Sequence, residues 1–236
     1  YIDTHSHIYE EEFREDREAV IQRAEGGSEL LVLPDIDSES RNRMLALEAQ
    51  HPEMLFPLAG LHPTSVYENY KAELAQVEKA LGNHTFYGTE MGIDLYWDKR
   101  YYREQIKAFE HQLGIAKETG LPVIIHSRDS LEVIFEVLKK HPYTRGILHC
   151  FPGNAAEARQ AIDMGYLLGI GGVVTFKKSQ MADTLRKSAG KHRTGDRFSL
   201  PAPVPFRGKR NESSYIPLIA QKIAELRVSR QKKLRK

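Results

Sequence analysis

The sequence predicts an α/β fold with parallel strands, and three observations carry that expectation. Short, continuous apolar runs alternate along the chain with longer, charged, periodic stretches. A continuous apolar run suits a strand covered on both faces, and strict strand–helix alternation implies parallel strands joined by right-handed crossovers. With 236 residues, the chain is long enough for one α/β barrel. No internal repeat, low-complexity linker or domain boundary interrupts it, so one domain over 1–236 is expected.

In chain order, strands are expected at the N-terminal residues 1–7, at 30–34 (LLVLP), 55–60 (LFPLAG), 86–90 (FYGTE), 122–126 (PVIIH), 146–149 (GILH) and 166–171 (YLLGIG). Helices are expected over 10–25, 39–51, 69–82, 101–119, 129–141 and 154–164, where apolar residues recur at helical spacing among charges. Gly120 followed by Pro122 marks the stop of one helix before the next strand. Asp129 is expected to cap the helix that follows it.

The composition narrows the function. No apolar run approaches the length needed to span a bilayer. One cysteine, Cys150, excludes an internal disulfide and suits a reducing, cytoplasmic setting. No secretory signal is present, and the chain opens at Tyr1 without a methionine, as a trimmed start would. The net charge of +2 conceals an asymmetry. Residues 1–185 hold 19 Lys and Arg against 29 Asp and Glu, and residues 186–236 hold 15 against 3. The basic end suits either a nucleic-acid contact or a solvated tail.

The chemistry gathers at strand ends. On an extended strand, residues two apart share a face, so His5 and His7 would present two imidazoles side by side. Such a pair suits a divalent metal and is equally consistent with two ordinary surface histidines. What favours ligation is recurrence: the later strands end in His62, Glu90, His126 and His149. In a parallel barrel these ends emerge on one face, where the connecting loops build the active site. His51 and His141 precede prolines at helix ends, and His84, His111 and His192 lie in loop or charged helical contexts, so these five are expected at the surface. Cys150, next to His149 on its strand, is expected to point the opposite way and to be buried.

Several stretches together resemble the TatD family of metal-dependent deoxyribonucleases. They are DTHSH at 3–7, GLHP at 60–63, EMGID at 90–94 with Tyr96-Trp97, IHSRD at 125–129, LHCF at 148–151 and APVPFRGK at 202–209. The resemblance implies a distorted (β/α)8 TIM barrel with two divalent metal ions (zinc, nickel, magnesium or manganese) acting on DNA or a small phosphodiester. It implies that His5 and His7 hold one ion, that His126 and His149 hold the other, and that Glu90 bridges them. His62 would bind a phosphate oxygen or fix its loop. Arg128 would clamp a phosphate or pair with a neighbouring acid. Tyr96, Trp97 and Phe151, on loops at the same face, would stack on bases, with core packing or loop anchoring as the default for each. Two other outcomes remain open on the same barrel: hydrolysis of a small ester, amide or phosphate, and a catalytically impaired metal- or nucleic-acid-binding protein.

The chain departs from the family at 187–200 and 228–236. Relatives end the eighth strand with an aspartate that completes the first metal site and orients the attacking water. Arg197 occupies that position here, with Asp196 just before it. Either Asp196 serves as the catalytic carboxylate after a shift in register, or the aspartate is lost, or the written sequence carries a local frame error. The run at 187–200 is too polar and too basic for a buried barrel strand, and good family matches resume abruptly at Ala202.

Overall fold

Parallel pairing of short apolar strands organises the chain. The structure, a computed structural model, describes residues 1–26, 30–187, 194–196 and 202–234, with backbone alone at 194–196 and 228–234. The elements run β1 (Ile2–Asp3), α1 (Arg17–Glu25), β2 (Leu30–Leu33), α2 (Ser38–Glu48), β3 (Leu55–Pro57), β4 (Ala59–Gly60) and α3 (Tyr70–Asn83). They continue with β5 (Thr89–Asp94), α4 (Tyr102–Thr119), β6 (Val123–Arg128), α5 (Leu131–Lys140), β7 (Gly146–Leu148) and α6 (Ala155–Asp163). The last are β8 (Leu167–Ile170), α7 (Gln180–Lys187), β9 (Thr194–Asp196) and α8 (Ile216–Leu234).

Strands β1–β3 form one sheet and β4–β9 the other, in sequence order, with every pairing parallel. The expected third strand is thus split in two. At the break the Leu58 amide donates to Leu33, on the β2 side, whereas Ala59 donates to Gly88, on the β5 side. One strand exchanges partners there and carries the wall from one sheet to the other. Packing of β1 against β9 closes the ring, giving the distorted barrel.

The helices form for identifiable local reasons. Asp37 and Ser40 make a capping box at the start of α2, and Asn154 and Glu157 make another at α6. Gly120, at φ 71°, ends α4 in the left-handed conformation expected of that stop. In α5, Leu131, Ile134, Phe135 and Leu138 fall on one buried stripe. Two apolar cores result. Tyr9, Phe13, Leu31, Leu33, Met44 and Leu55 anchor the N-terminal one, and Ile93, Phe109, Ile125, Ile134, Leu148 and Ile170 the C-terminal one. No described helix is long and apolar enough to cross a membrane.

Five expectations need correction. First, β1 ends at Asp3, so His5 and His7 lie beyond it, on a segment tied to β2 by the Ser6 amide donating to Val32. Second, Glu90 is the second residue of β5, not its last, because pairing with β6 continues to Asp94. Third, the helix expected over 10–25 is a single 3-10 turn at Glu11–Phe13 followed by α1. Fourth, Asp129 adopts φ 53° and leaves the N-cap position to Ser130. Fifth, the backbone at Thr194–Asp196 pairs with β8 despite its polar sequence, Ile170 opposite Asp196, and α8 continues through the basic run to Leu234. A barrel must close, and ladder hydrogen bonds do not depend on side-chain polarity. The Asp196 side chain, Arg197 and His192 lie outside the described residues.

Candidate metal centre

Five strands and the segments that follow them deliver the residues of the site. His5 and His7 follow β1, His62 follows β4, Glu90 and Asp94 belong to β5, His126 belongs to β6, and His149 follows β7. These segments converge on one cleft of about 820 Å³, lined by the five histidines together with Arg128 and Phe151. Gly92 makes part of that convergence possible. It faces His126 across the β5–β6 ladder, and a Cβ there would lie 2.1 Å from the His126 carbonyl oxygen.

Glu90 is wholly buried at the centre, with Oε1 3.4 Å from His5 Nδ1 and 3.4 Å from His149 Nε2. The His5 and His149 rings stack at 4.1 Å between centroids. His5 Nε2 lies 2.9 Å from His7 Nε2, and His126 Nδ1 lies 3.1 Å from His149 Nε2. Potential ligand atoms fall into two groups, His5–His7–Glu90 and His62–His126–His149, each within 4.8 Å.

The surrounding hydrogen bonds select tautomers. The Tyr9 hydroxyl donates to the Pro34 carbonyl, so it accepts at 2.9 Å from His7 Nδ1–H. That leaves the His7 Nε2 lone pair available. Burial, with Asp35 and Glu90 nearby, holds the Tyr9 phenol well above its ordinary pKa, so it remains a neutral donor. On the other side, His126 Nε2–H donates to Asp94 Oδ2 at 2.9 Å, leaving the Nδ1 lone pair available. Burial alone would raise the Asp94 pKa. Hydrogen bonds from His126, Trp97 and Tyr96 outweigh it and keep the carboxylate below its ordinary pKa, hence charged. A carboxylate behind a ligating imidazole is the usual way of fixing ring orientation and basicity.

These atoms fit a metal. With ligand bonds of about 2.0–2.1 Å, two nitrogens bound roughly at right angles lie about 2.8–3.0 Å apart, close to the spacing of both pairs. His62 differs. Its Nδ1 accepts from the Thr64 amide at 3.3 Å and lies 2.6 Å from the Thr64 hydroxyl, so the ring proton of the neutral imidazole sits on Nε2. A ring N–H suits an anion better than a cation.

Several site residues had no role assigned from the sequence. Asp94 lay inside a quoted motif, but its function depends on the β5–β6 register that sets His126 beside it. Tyr9 acts through Pro34, 25 residues away in the chain. Asp3 accepts from the His5 amide at 3.0 Å and from the Ser213 hydroxyl at 2.7 Å, linking β1 to the C-terminal segment. Cys150 departs from expectation. At φ 43° it turns the chain after His149 and lines the cleft half-buried, while Phe151 enters the core. Among the histidines expected at the surface, His51, His84 and His111 pair with Glu18, Glu48 and Glu78 away from the cleft.

A parallel barrel with imidazoles and a buried carboxylate gathered at its mouth defines the class: a metal-dependent hydrolase. The profile of the TatD related DNase family matches residues 2–236, and the chain belongs to that family. An uncharacterized metal-dependent hydrolase of Bacillus subtilis, YabD, is 34% identical over 231 residues, covering 95% of this chain and 90% of that protein. The 3'-5' ssDNA/RNA exonuclease TatD of Pectobacterium carotovorum is 28% identical, covering 92% and 87%. The crystal structure of the Escherichia coli TatD homologue YJJV matches this fold with a TM-score of 0.86 at 29% identity, covering 96% and 90%.

Proposed function

We propose that this chain is a cytoplasmic phosphodiesterase that cleaves DNA with two divalent cations. The observation that carries the reading is the position of Glu90, whose one oxygen faces an imidazole of each pair at 3.4 Å. In this reading His5 and His7 would hold one cation and His126 and His149 the other, with Glu90 as the carboxylate they share. Asp196, next to the position where the family carries its aspartate, would complete the first set and take the proton of the attacking water. The cations supply Lewis-acid charge on the phosphoryl oxygen and lower the pKa of the attacking water. Tyr9 and Asp94 hold His7 and His126 in the tautomers that binding needs. His62 donates from Nε2 to a phosphate oxygen, and Arg128 binds the strand. An imidazole-rich donor set favours zinc or nickel over magnesium or manganese at rest. The name of the Pectobacterium relative supports a single-stranded nucleic acid as substrate.

Glu90→Gln tests this directly. It keeps the size of the side chain and removes the charge shared by two cations. Metal content by inductively coupled plasma mass spectrometry should fall by at least one equivalent, and cleavage of an end-labelled DNA strand should fall at least about 10–100-fold. Unchanged metal content together with unchanged cleavage would overturn the assignment. Hydrolysis of small esters without DNA cleavage would move the substrate class instead.

A further inference from the structure

The loop after β5 places two large aromatic rings in solvent beside the cleft. Tyr96 is 54% exposed and Trp97 69%. Exposed rings gain little for folding, yet this pair is held firmly. Asp94 Oδ1 accepts from the amides of Tyr96 at 3.0 Å and Trp97 at 3.2 Å. The other oxygen of the same carboxylate accepts from His126. The rings are therefore referenced to the metal centre through one side chain.

Arg128 completes the arrangement. It ends β6 directly opposite Asp94, with its guanidinium carbon 3.9 Å from the Tyr96 ring centroid and 5.1 Å from that of Trp97. No carboxylate of the described residues forms an ion pair with it, so its charge is not neutralised there. Arg128 lines the histidine cleft, and Trp97 lines a second groove beyond it, of about 460 Å³, with Thr64, Tyr67 and Tyr101. Arg128 and Trp97 thus each border one of the two depressions, and Tyr96 packs against both side chains.

We propose that Tyr96, Trp97 and Arg128 form a stacking step for one nucleobase of a single strand whose adjacent phosphate lies in the histidine cleft. This rests on the phosphodiesterase reading above. A fixed aromatic plane beside an unneutralised planar cation is what a base and its flanking phosphate require together. Pre-stacking Arg128 on Tyr96 also reduces the side-chain freedom lost on binding. Base stacking of this kind contributes between about 5- and 150-fold in affinity.

Trp97 is the sole tryptophan of the chain, so its emission reports this site alone. The full chain is titrated with a short phosphorothioate thymidine strand and with an abasic strand of equal length. The thymidine strand should quench Trp97 and bind 5- to 150-fold tighter than the abasic one. Trp97→Ala should raise KM for the thymidine strand by a similar factor, narrow the preference for it over a cleavable abasic strand, and be largely rescued by Trp97→Phe. Equal binding of both strands, or equal loss on both in Trp97→Ala, would overturn the stacking step. If the strand is cleaved without base dependence, stacking falls and the phosphodiesterase reading survives. If binding is base-dependent without cleavage, the reverse holds.

Discussion

Asp94→Asn puts the built-in tautomer control to a stringent test. The carboxylate acts at once on two sides, accepting from His126 Nε2–H at 2.9 Å through Oδ2 and from the Tyr96 and Trp97 amides at 3.0 and 3.2 Å through Oδ1. An asparagine has one acceptor oxygen and one amide nitrogen. If the oxygen faces His126, the nitrogen confronts two backbone donors. If the oxygen faces the loop, the nitrogen confronts the His126 N–H, and the ring must shift its proton to Nδ1, the atom needed for the metal. Either orientation loses a charge-assisted bond, worth about 1.5–3 kcal/mol. Expressed in the metal, loss of such an outer carboxylate costs about 10–100-fold in affinity, and the two ranges agree, since a factor of ten is about 1.4 kcal/mol. Competition against a chromophoric chelator would measure this. The expected result is two unequal sites, with the weaker affinity lowered 10–100-fold and the other little changed. Wild-type affinity at both sites, with unchanged thermal stability, would refute the account of Asp94 and its hold on His126.

Three further predictions follow from named contacts. Gly92→Ala, whose Cβ would meet the His126 carbonyl oxygen at 2.1 Å, should lower unfolding stability by at least about 3 kcal/mol, read from the urea midpoint. Burial raises Asp35 from its ordinary 3.8 to about 7, against the opposing pull of Arg41, which lies 2.6 Å away. The folded state then holds the proton more tightly than the unfolded one. Its stabilising contribution is present below pH 3.8 and is lost as pH rises to about 7. The span bounds the effect at roughly 4 kcal/mol, and Asp35→Asn should flatten the difference in melting temperature between pH 5 and pH 8. Asp196→Asn should abolish DNA cleavage while Arg197→Ala leaves it near wild type, measured beside an intact-mass determination of the same sample. The opposite ranking would remove Asp196 from the mechanism.

The alternation of apolar runs with periodic charged stretches was enough to place most strands and helices, because each reports a local requirement: a strand buried on both faces or a helix with one apolar stripe. The stop at Gly120 was legible for the same reason, since its left-handed backbone serves only its own helix end. Where interactions were long-range, local reading failed. β9 forms from a polar run because β8 and β1 need a neighbour between them, and the third strand breaks at Leu58 because its partner changes.

The same division runs through the site. His5, His7, Glu90, His126 and His149 could be picked out by residue type and by position near strand ends, even though Glu90 is interior to its strand. What the linear order could not contain is which nitrogen of each ring faces inward. That depends on Tyr9 reaching Pro34 and on the register that sets Asp94 beside His126. Arg128 was ambiguous between a phosphate and an acid, and only the folded loop sets its guanidinium against Tyr96. Chain order specifies which donors a site can use. Tautomer and orientation are set by partners distant in sequence, and therefore by the tertiary fold alone.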